Sequence, residues 1–412
     1  MSAPDATSSR LDTLLALSLG LFVVGVQVHE LFATVGGWLT ALFSTLVLLR
    51  SSSWKVELRS WWPLGAYLAW SLLGPLIITG TPSGSGVARL LDVVFLPTVA
   101  WAVQAMPERS LHRIATIGSA VLVLSCAVAG AQFFGFWPAL ESFSSLAPLH
   151  LSLERVYELV PGSTDRFMGG GLLLHRLRFA NVTAALTVLA AAGAFRLRLR
   201  RWWLSTVTII GLVSVSLFPH ARAATVSLVL ALLVVAGVGA SRRSLALAAG
   251  SVFVLLAGLV VALVPSVRMR FGSALEADST GDRNFLLQAG VRAVQHEPVG
   301  GVGLGRFKPA LWATPEAPES VSTHQGKSHN QFLTIAAEAG IPALLLFLAV
   351  LALLAAAAIK LLPDSTGAVG LLVFFVSLSA LHDPLFHPES SMALFGALGA
   401  GLGLARRTKE PA

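Results

Sequence analysis

Charge is scarce in this chain: Asp, Glu, Lys and Arg make up 12% of its 412 residues, against 55% hydrophobic residues. A soluble domain carries about a quarter charged residues, so this shortage excludes an ordinary string of soluble domains. A protein solvated by lipid does not need surface charge, and the length then reads as one membrane domain, 1–412, with two sizeable extramembrane loops. Cysteine is nearly absent. The single Cys126 lies in an apolar run and excludes an internal disulfide. No small-residue cleavage site follows the first apolar run, which begins at Leu11, so that run reads as an uncleaved span rather than a signal peptide. An internal repeat is also lacking.

Long apolar runs are what the chain has instead. They fall near 11–29, 31–49, 61–79, 87–105, 114–137, 179–195, 203–219, 222–240, 245–264, 331–359, 366–382 and 391–405. A helix needs roughly 20 mostly apolar residues to cross the hydrocarbon core. The expectation is an all-α polytopic membrane protein of about twelve transmembrane helices. The fourth run is weakened by Arg89 and Asp92, and the last is short and glycine-rich.

The net charge of +8 would suggest nucleic acid in a soluble protein. Here it has another explanation, and no nucleic-acid partner is expected. With the N-terminus in the cytoplasm, the inner connections hold Arg10; Arg50, Lys55 and Arg59; Arg109 and Arg113; Arg196, Arg198, Arg200 and Arg201; Arg242 and Arg243; Lys360; and Arg406, Arg407 and Lys409. Short cytoplasmic loops collect Lys and Arg, and the bias holds at every inner connection. Both termini then face the cytoplasm. Two long loops, 138–178 and 265–328, face the other side. The second contains an amphipathic stretch, Arg283 to His296, then the glycine-rich turn Gly300-Gly301-Val302-Gly303-Leu304-Gly305. That turn follows no strand and lacks a Gly-Lys-Ser ending, so as a nucleotide loop it is a weak signal.

The basic residues on the outer side run against the orientation bias. Arg176 and Arg178 precede the sixth span, Arg222 sits in the tight connection Pro219-His220-Ala221-Arg222, and Arg283 follows Asp282 in the large loop. Salt bridging or snorkelling to lipid phosphate would account for any one of them. Several together suit an anionic headgroup, because guanidinium groups bind phosphate oxygens bidentately and keep their charge. At the end of the large loop stands Ser328-His329-Asn330-Gln331, and an imidazole there can move a proton near neutral pH or simply bond an orphan helix amide. Gly340 and Pro342 suggest a helix broken before its long second half, which is tolerated at membrane depth where it lines a cavity. His382, Asp383, His387 and Glu389 fall in the last outer loop. Their spacing fits no standard zinc pattern, so no metal is expected, and Asp383 more plausibly orients a histidine or an arginine.

The segment His329-Asn330, nine residues, then Gly340-Ile341-Pro342-Ala343 resembles the signature of the O-antigen ligase and Wzy-type polymerase superfamily. The run Arg283-Asn284 through His296-Glu297-Pro298-Val299-Gly300-Gly301-Val302-Gly303-Leu304-Gly305-Arg306-Phe307 is similar to the stretch that leads to the family's Pro-x-x-Gly-x-Gly turn. Arg222 stands where the family has a serine-arginine turn, with Ala221 in the usual place of Ser, and Ala343 departs mildly from a frequent Gly. The resemblance covers most of the chain in layout and about 130 residues in motif.

It implies a GT-C-like, metal-independent glycosyltransferase without cofactors, with a large periplasmic loop between spans nine and ten. Its donor would be a glycan on undecaprenyl pyrophosphate, its acceptor the lipid A-core or another glycan, and its site the periplasmic face of the bacterial inner membrane, among membrane lipids. On this reading Arg178, Arg222 and Arg283 hold the pyrophosphate and His329 is the general base. Arg176, Asn330, His324, His382 and Asp383 are supporting residues. Layout favours a ligase over a polymerase or a protein O-oligosaccharyltransferase. A twelve-span transporter is the reading from a different class, and it is disfavoured by the lack of a repeat and the scarcity of mid-span charges.

Overall fold

A helix stands at each of the apolar runs. The computed structural model describes residues 6–52, 54–78, 80, 83–136, 158–160, 163–164, 166–196, 201–240, 243–272, 277–319, 321 and 327–407. The first seven helices are α1 (Ala6–Val28), α2 (Glu30–Arg50), α3 (Trp54–Ser60), α4 (Trp62–Ile78), α5 (Gly84–Leu91), α6 (Phe95–Ala105) and α7 (Glu108–Phe134). Then come α8 (Arg176–Arg196), α9 (Arg201–Leu217), α10 (Arg222–Gly239), α11 (Arg243–Leu263), α12 (Pro265–Gly272) and α13 (Ala277–His296). The last three are α14 (Gln331–Lys360), α15 (Thr366–Leu381) and α16 (Pro388–Arg407).

Among the described residues, eight helices are long and apolar enough to cross a membrane, or nine when α3 and α4, bent by 55°, count as one span. α9 and α15 are apolar but shorter. The apolar surface points outward as well as inward. On α11 only 17% of the apolar window is buried, and Leu247, Leu255, Leu259 and Leu263 are exposed. Helices can present such a surface only to lipid or to other protein, since their backbone bonds are satisfied internally. This makes the chain a membrane protein.

α16 is one of the most buried helices, although the sequence marks it as short and glycine-rich. Its glycines explain both properties. A Cβ on Gly399 would stand 2.3 Å from Leu96 O of α6, so the two backbones touch. Small residues permit such contact where apolar burial gives no drive for helix association. α16 also packs on α15 and α8, and α10 packs on α15 and α8. At its C-terminal end, Arg406 pairs with Glu57 at 2.9 Å and Arg407 donates to Val103 O at 2.9 Å. Its N-terminal end, at the opposite pole, enters the site.

Candidate active site

Two motifs that lie apart in the sequence form one construction. α14 breaks at Gly340, where φ is 82° and ψ is 170°, with Pro342 just beyond, as the sequence suggested. A break strands the last carbonyls of the first half-helix, and the glycine-rich turn satisfies them. Val302 N–H donates to Ala337 O at 2.8 Å and Gly303 N–H to Glu338 O at 3.0 Å, while Ile341 N–H of the second half donates to Pro298 O at 2.8 Å. Trp70 Nε1–H of α4 reaches Ala339 O at 3.3 Å. The amphipathic stretch that leads to this turn is indeed helical, as the C-terminal part of α13.

The other end of the half-helix carries His329. Asn330 is the N-cap, its Oδ1 accepting from Leu333 N–H at 3.1 Å, and its Nδ2 donates to Ala380 O at 3.3 Å. Ser328 Oγ accepts from Asn330 N–H at 3.2 Å and pairs with Thr334 Oγ1 at 2.9 Å. The Thr334 hydroxyl donates to Asp383 Oδ1 at 2.6 Å. Gln331 N–H donates to His382 O at 3.2 Å. These bonds hold His329 at φ 59°, a left-handed conformation that costs a non-glycine residue roughly 1–3 kcal/mol and persists only where its surroundings enforce it. The His329 ring stacks on His382, with centroids 5.6 Å apart and 26° between planes.

Cations gather round this knot from several elements. Arg178 on α8 donates to Glu389 Oε1 at the head of α16 at 2.5 Å, and Arg176 donates to Glu158 Oε2 at 2.6 Å. Arg89 of α5 meets Glu338, the buried acid at the end of the half-helix, at 3.4 Å. Lys327 Nζ sits 4.1 Å over the Phe386 ring. The rings of His175 and His387 are 4.8 Å apart. His175 Nδ1 accepts from Arg178 N–H at 3.3 Å, capping α8.

The electrostatics show that these groups share one environment. Burial pushes Asp383 up to about 6, opposed by the Thr334 hydroxyl, the Lys327 charge and the His329 amide. Burial lowers Arg283, with Asp383 opposing. Burial lowers Lys327 too. Asp383 again opposes, and Arg178, Arg89 and Arg176 add to the lowering. His175 is pushed down to about 3 by burial and then by Arg178, Arg176 and Lys327. Burial, Lys327, His175 and Arg178 lower His387.

Of the residues expected from sequence, Arg176, Arg178, Arg283, His329, Asn330, His382 and Asp383 are thus in or beside one cluster. His324 lies outside the described residues. Arg222 opens α10 at the same end of the bundle. Its turn is tied to the strand of chain entering α8: Phe218 O accepts from Gly169 N–H at 2.9 Å, and His220 packs on Phe133, whose neighbour Gln132 accepts from Gly170 N–H at 2.8 Å. Lys327 and His175 went unread in the sequence. A lysine two residues before His329, outside the cytoplasmic set, was the available signal. Among the described residues no group of three or more His, Cys, Asp or Glu side chains is arranged as metal ligands would be.

Fold and site define a many-helix membrane protein with a polar, cation-rich centre where a broken helix meets its glycine turn. Residues 217–348 match the family model described as O-antigen ligase. That stretch holds Arg222, Arg283, the glycine turn, His329 and Gly340, so the superfamily read from the His329 motif is the one found, over about a third of the chain. No curated protein matches the chain.

Proposed function

We propose that the protein is an O-antigen ligase, which moves a glycan from undecaprenyl pyrophosphate to a hydroxyl of the lipid A-core at the periplasmic face of the inner membrane. The observation that carries this reading is the convergence of cations from α5, α8 and the large loop on the knot of His329, His382 and Asp383. Twelve spans with both termini cytoplasmic would put that end of the bundle outside. The basic C-terminus of α16 lies at the other pole.

In the reaction, Arg178, Arg222 and Arg283 hold the diphosphate. His329 takes the proton of the acceptor hydroxyl, whose oxygen bonds to the anomeric carbon as the bond from that carbon to the phosphate oxygen breaks. Direct attack inverts the anomeric configuration. Fixed cations aimed at the leaving group supply the stabilisation of developing charge, and no metal is required by this scheme. Supporting it, bonds on both flanks hold the left-handed His329 backbone, and its ring stacks on His382.

The test is transfer by the purified protein from an undecaprenyl-pyrophosphate glycan to lipid A-core, expected to give linked glycan without added metal. In cells, deletion should leave long polymer unattached to lipid A. Single repeat units attached to lipid A would instead identify a polymerase, and absence of any transfer would end the reading.

A further inference from the structure

Lys327 differs from three of the arginines around it. Arg89, Arg176 and Arg178 each face a carboxylate of their own, at 3.4, 2.6 and 2.5 Å. Among the described residues, no carboxylate lies within ion-pair distance of Lys327 Nζ. The ammonium rests instead on the face of Phe386 at 4.1 Å, and the Arg89 guanidinium lies over the same ring at 5.1 Å. An aromatic face orients a cation but does not neutralise it. The acid that favours the Lys327 charge is Asp383, which already accepts from Thr334 and also serves Arg283. Two cations therefore share one carboxylate, and the centre keeps a surplus of positive charge. Taking an ammonium out of water is costly unless an anion joins it.

We propose that Lys327 is a ligand of the donor's diphosphate, its ammonium propped on Phe386 to take the charge that the paired arginines leave unanswered. This rests on the ligase reading of the same site. The chemistry suits lysine. A compact charge with three rotatable donors can swing between two phosphate groups, whereas a planar guanidinium stacked on Phe386 would be held to one orientation. A phosphodiester headgroup offers one phosphate, whereas a diphosphate offers two neighbouring ones between which the ammonium can swing, and that reach favours the diphosphate.

The experiment uses the full chain in a nonionic detergent and measures binding of inorganic pyrophosphate, with inorganic phosphate and phosphatidylglycerol micelles as the other arms. Lys327→Gln is expected to weaken pyrophosphate binding by about tenfold or more, the value of one charged hydrogen bond, and to change phosphate binding far less. A second measurement needs no variant: acylation of the Lys327 amine, read by mass spectrometry, should slow when pyrophosphate is present and not when phosphatidylglycerol is. Wild-type affinity in Lys327→Gln, or an acylation rate that pyrophosphate leaves unchanged, overturns the role of Lys327 alone. Equal protection by phosphatidylglycerol overturns the diphosphate preference. A wild-type protein that binds no pyrophosphate sinks the ligase reading itself.

Discussion

Arg178 and Glu389 stand 211 residues apart in sequence and meet at 2.5 Å, tying the head of α8 to the head of α16. The carboxylate is buried, with 3% of its side chain exposed, while 31% of the arginine side chain is exposed. Glu389 therefore fixes one nitrogen of the guanidinium, whose Nε is buried without a hydrogen-bond partner of its own. A lysine could pair with Glu389 or with a phosphate, but not with both at fixed geometry. Arg178→Lys should lower kcat/KM for the donor by about tenfold or more, in a transfer assay with membranes. Glu389→Gln should destabilise the protein by roughly 1–2 kcal/mol, less than for a fully buried pair because the arginine is partly in water. An unchanged unfolding midpoint in Glu389→Gln together with full activity in Arg178→Lys would remove the pair from the site.

His329 bears the sharpest prediction. Loss of a positioned general base typically costs 10²–10⁴-fold, that is roughly 3–5 kcal/mol of barrier. His329→Ala should lose transfer to that extent and still bind pyrophosphate, because the cations do not depend on the imidazole. Near-normal transfer by His329→Ala in washed membranes would end the assignment. Its stacking partner His382 then becomes the next candidate.

Asp383 sets a pH dependence of opposite sign for activity and stability. Its carboxyl is raised from 3.8 to about 6, chiefly by burial. Between those values the folded protein binds more protons than the unfolded chain, so stability falls as pH rises from about 4 to about 6 and is level above. Activity runs the other way, since only the carboxylate carries the charge that favours charged Lys327 and Arg283 while it accepts from the Thr334 hydroxyl. The nearby His175 is pushed down to about 3 and stays neutral through the window, and burial holds His387 below its ordinary range. The pH profile of kcat/KM should show an acid limb near 6 that Asp383→Asn abolishes, along with the slope in stability. An acid limb that survives in Asp383→Asn would assign it to another group.

Apolar run length made the helices readable, because span length is a one-dimensional property of the chain. The arginine and histidine candidates were readable by type and by their place at the ends of the apolar runs. Their pairing was not: Glu158, Glu338 and Glu389 each neutralise an arginine, and nothing in the spacing of Arg178 and Glu389 announces a contact. The weight of α16 was also hidden. Its glycines lower its apolar content while allowing contact with α6, so the property that weakens the span signal is the one that buries the helix. Arg89 read as a blemish in a span, whereas in three dimensions it ends beside Glu338 and Phe386.

The glycine turn and the broken helix yield a prediction that involves no charge. Gly340 adopts φ 82°, and a Cβ there would stand 1.9 Å from Val299 O. Gly301 adopts φ 65°, and a Cβ there would stand 2.4 Å from the Glu338 carbonyl carbon. Both contacts are with backbone, which cannot swing aside as a side chain can. Gly340→Ala must therefore push the turn away from the half-helix and break the bonds that Val302 and Gly303 donate to Ala337 O and Glu338 O. Two carbonyls left without partners at membrane depth cost several kcal/mol. The expected result for either alanine variant is a fall in the unfolding midpoint with transfer lost in proportion to the misfolded fraction. Exposed Gly258 on α11, whose Cβ would meet nothing within 4 Å, supplies the control, since Gly258→Ala should leave both unchanged. If Gly340→Ala unfolds at the wild-type midpoint, the turn does not cap the half-helix, and the construction that fixes His329 from one side has to be abandoned.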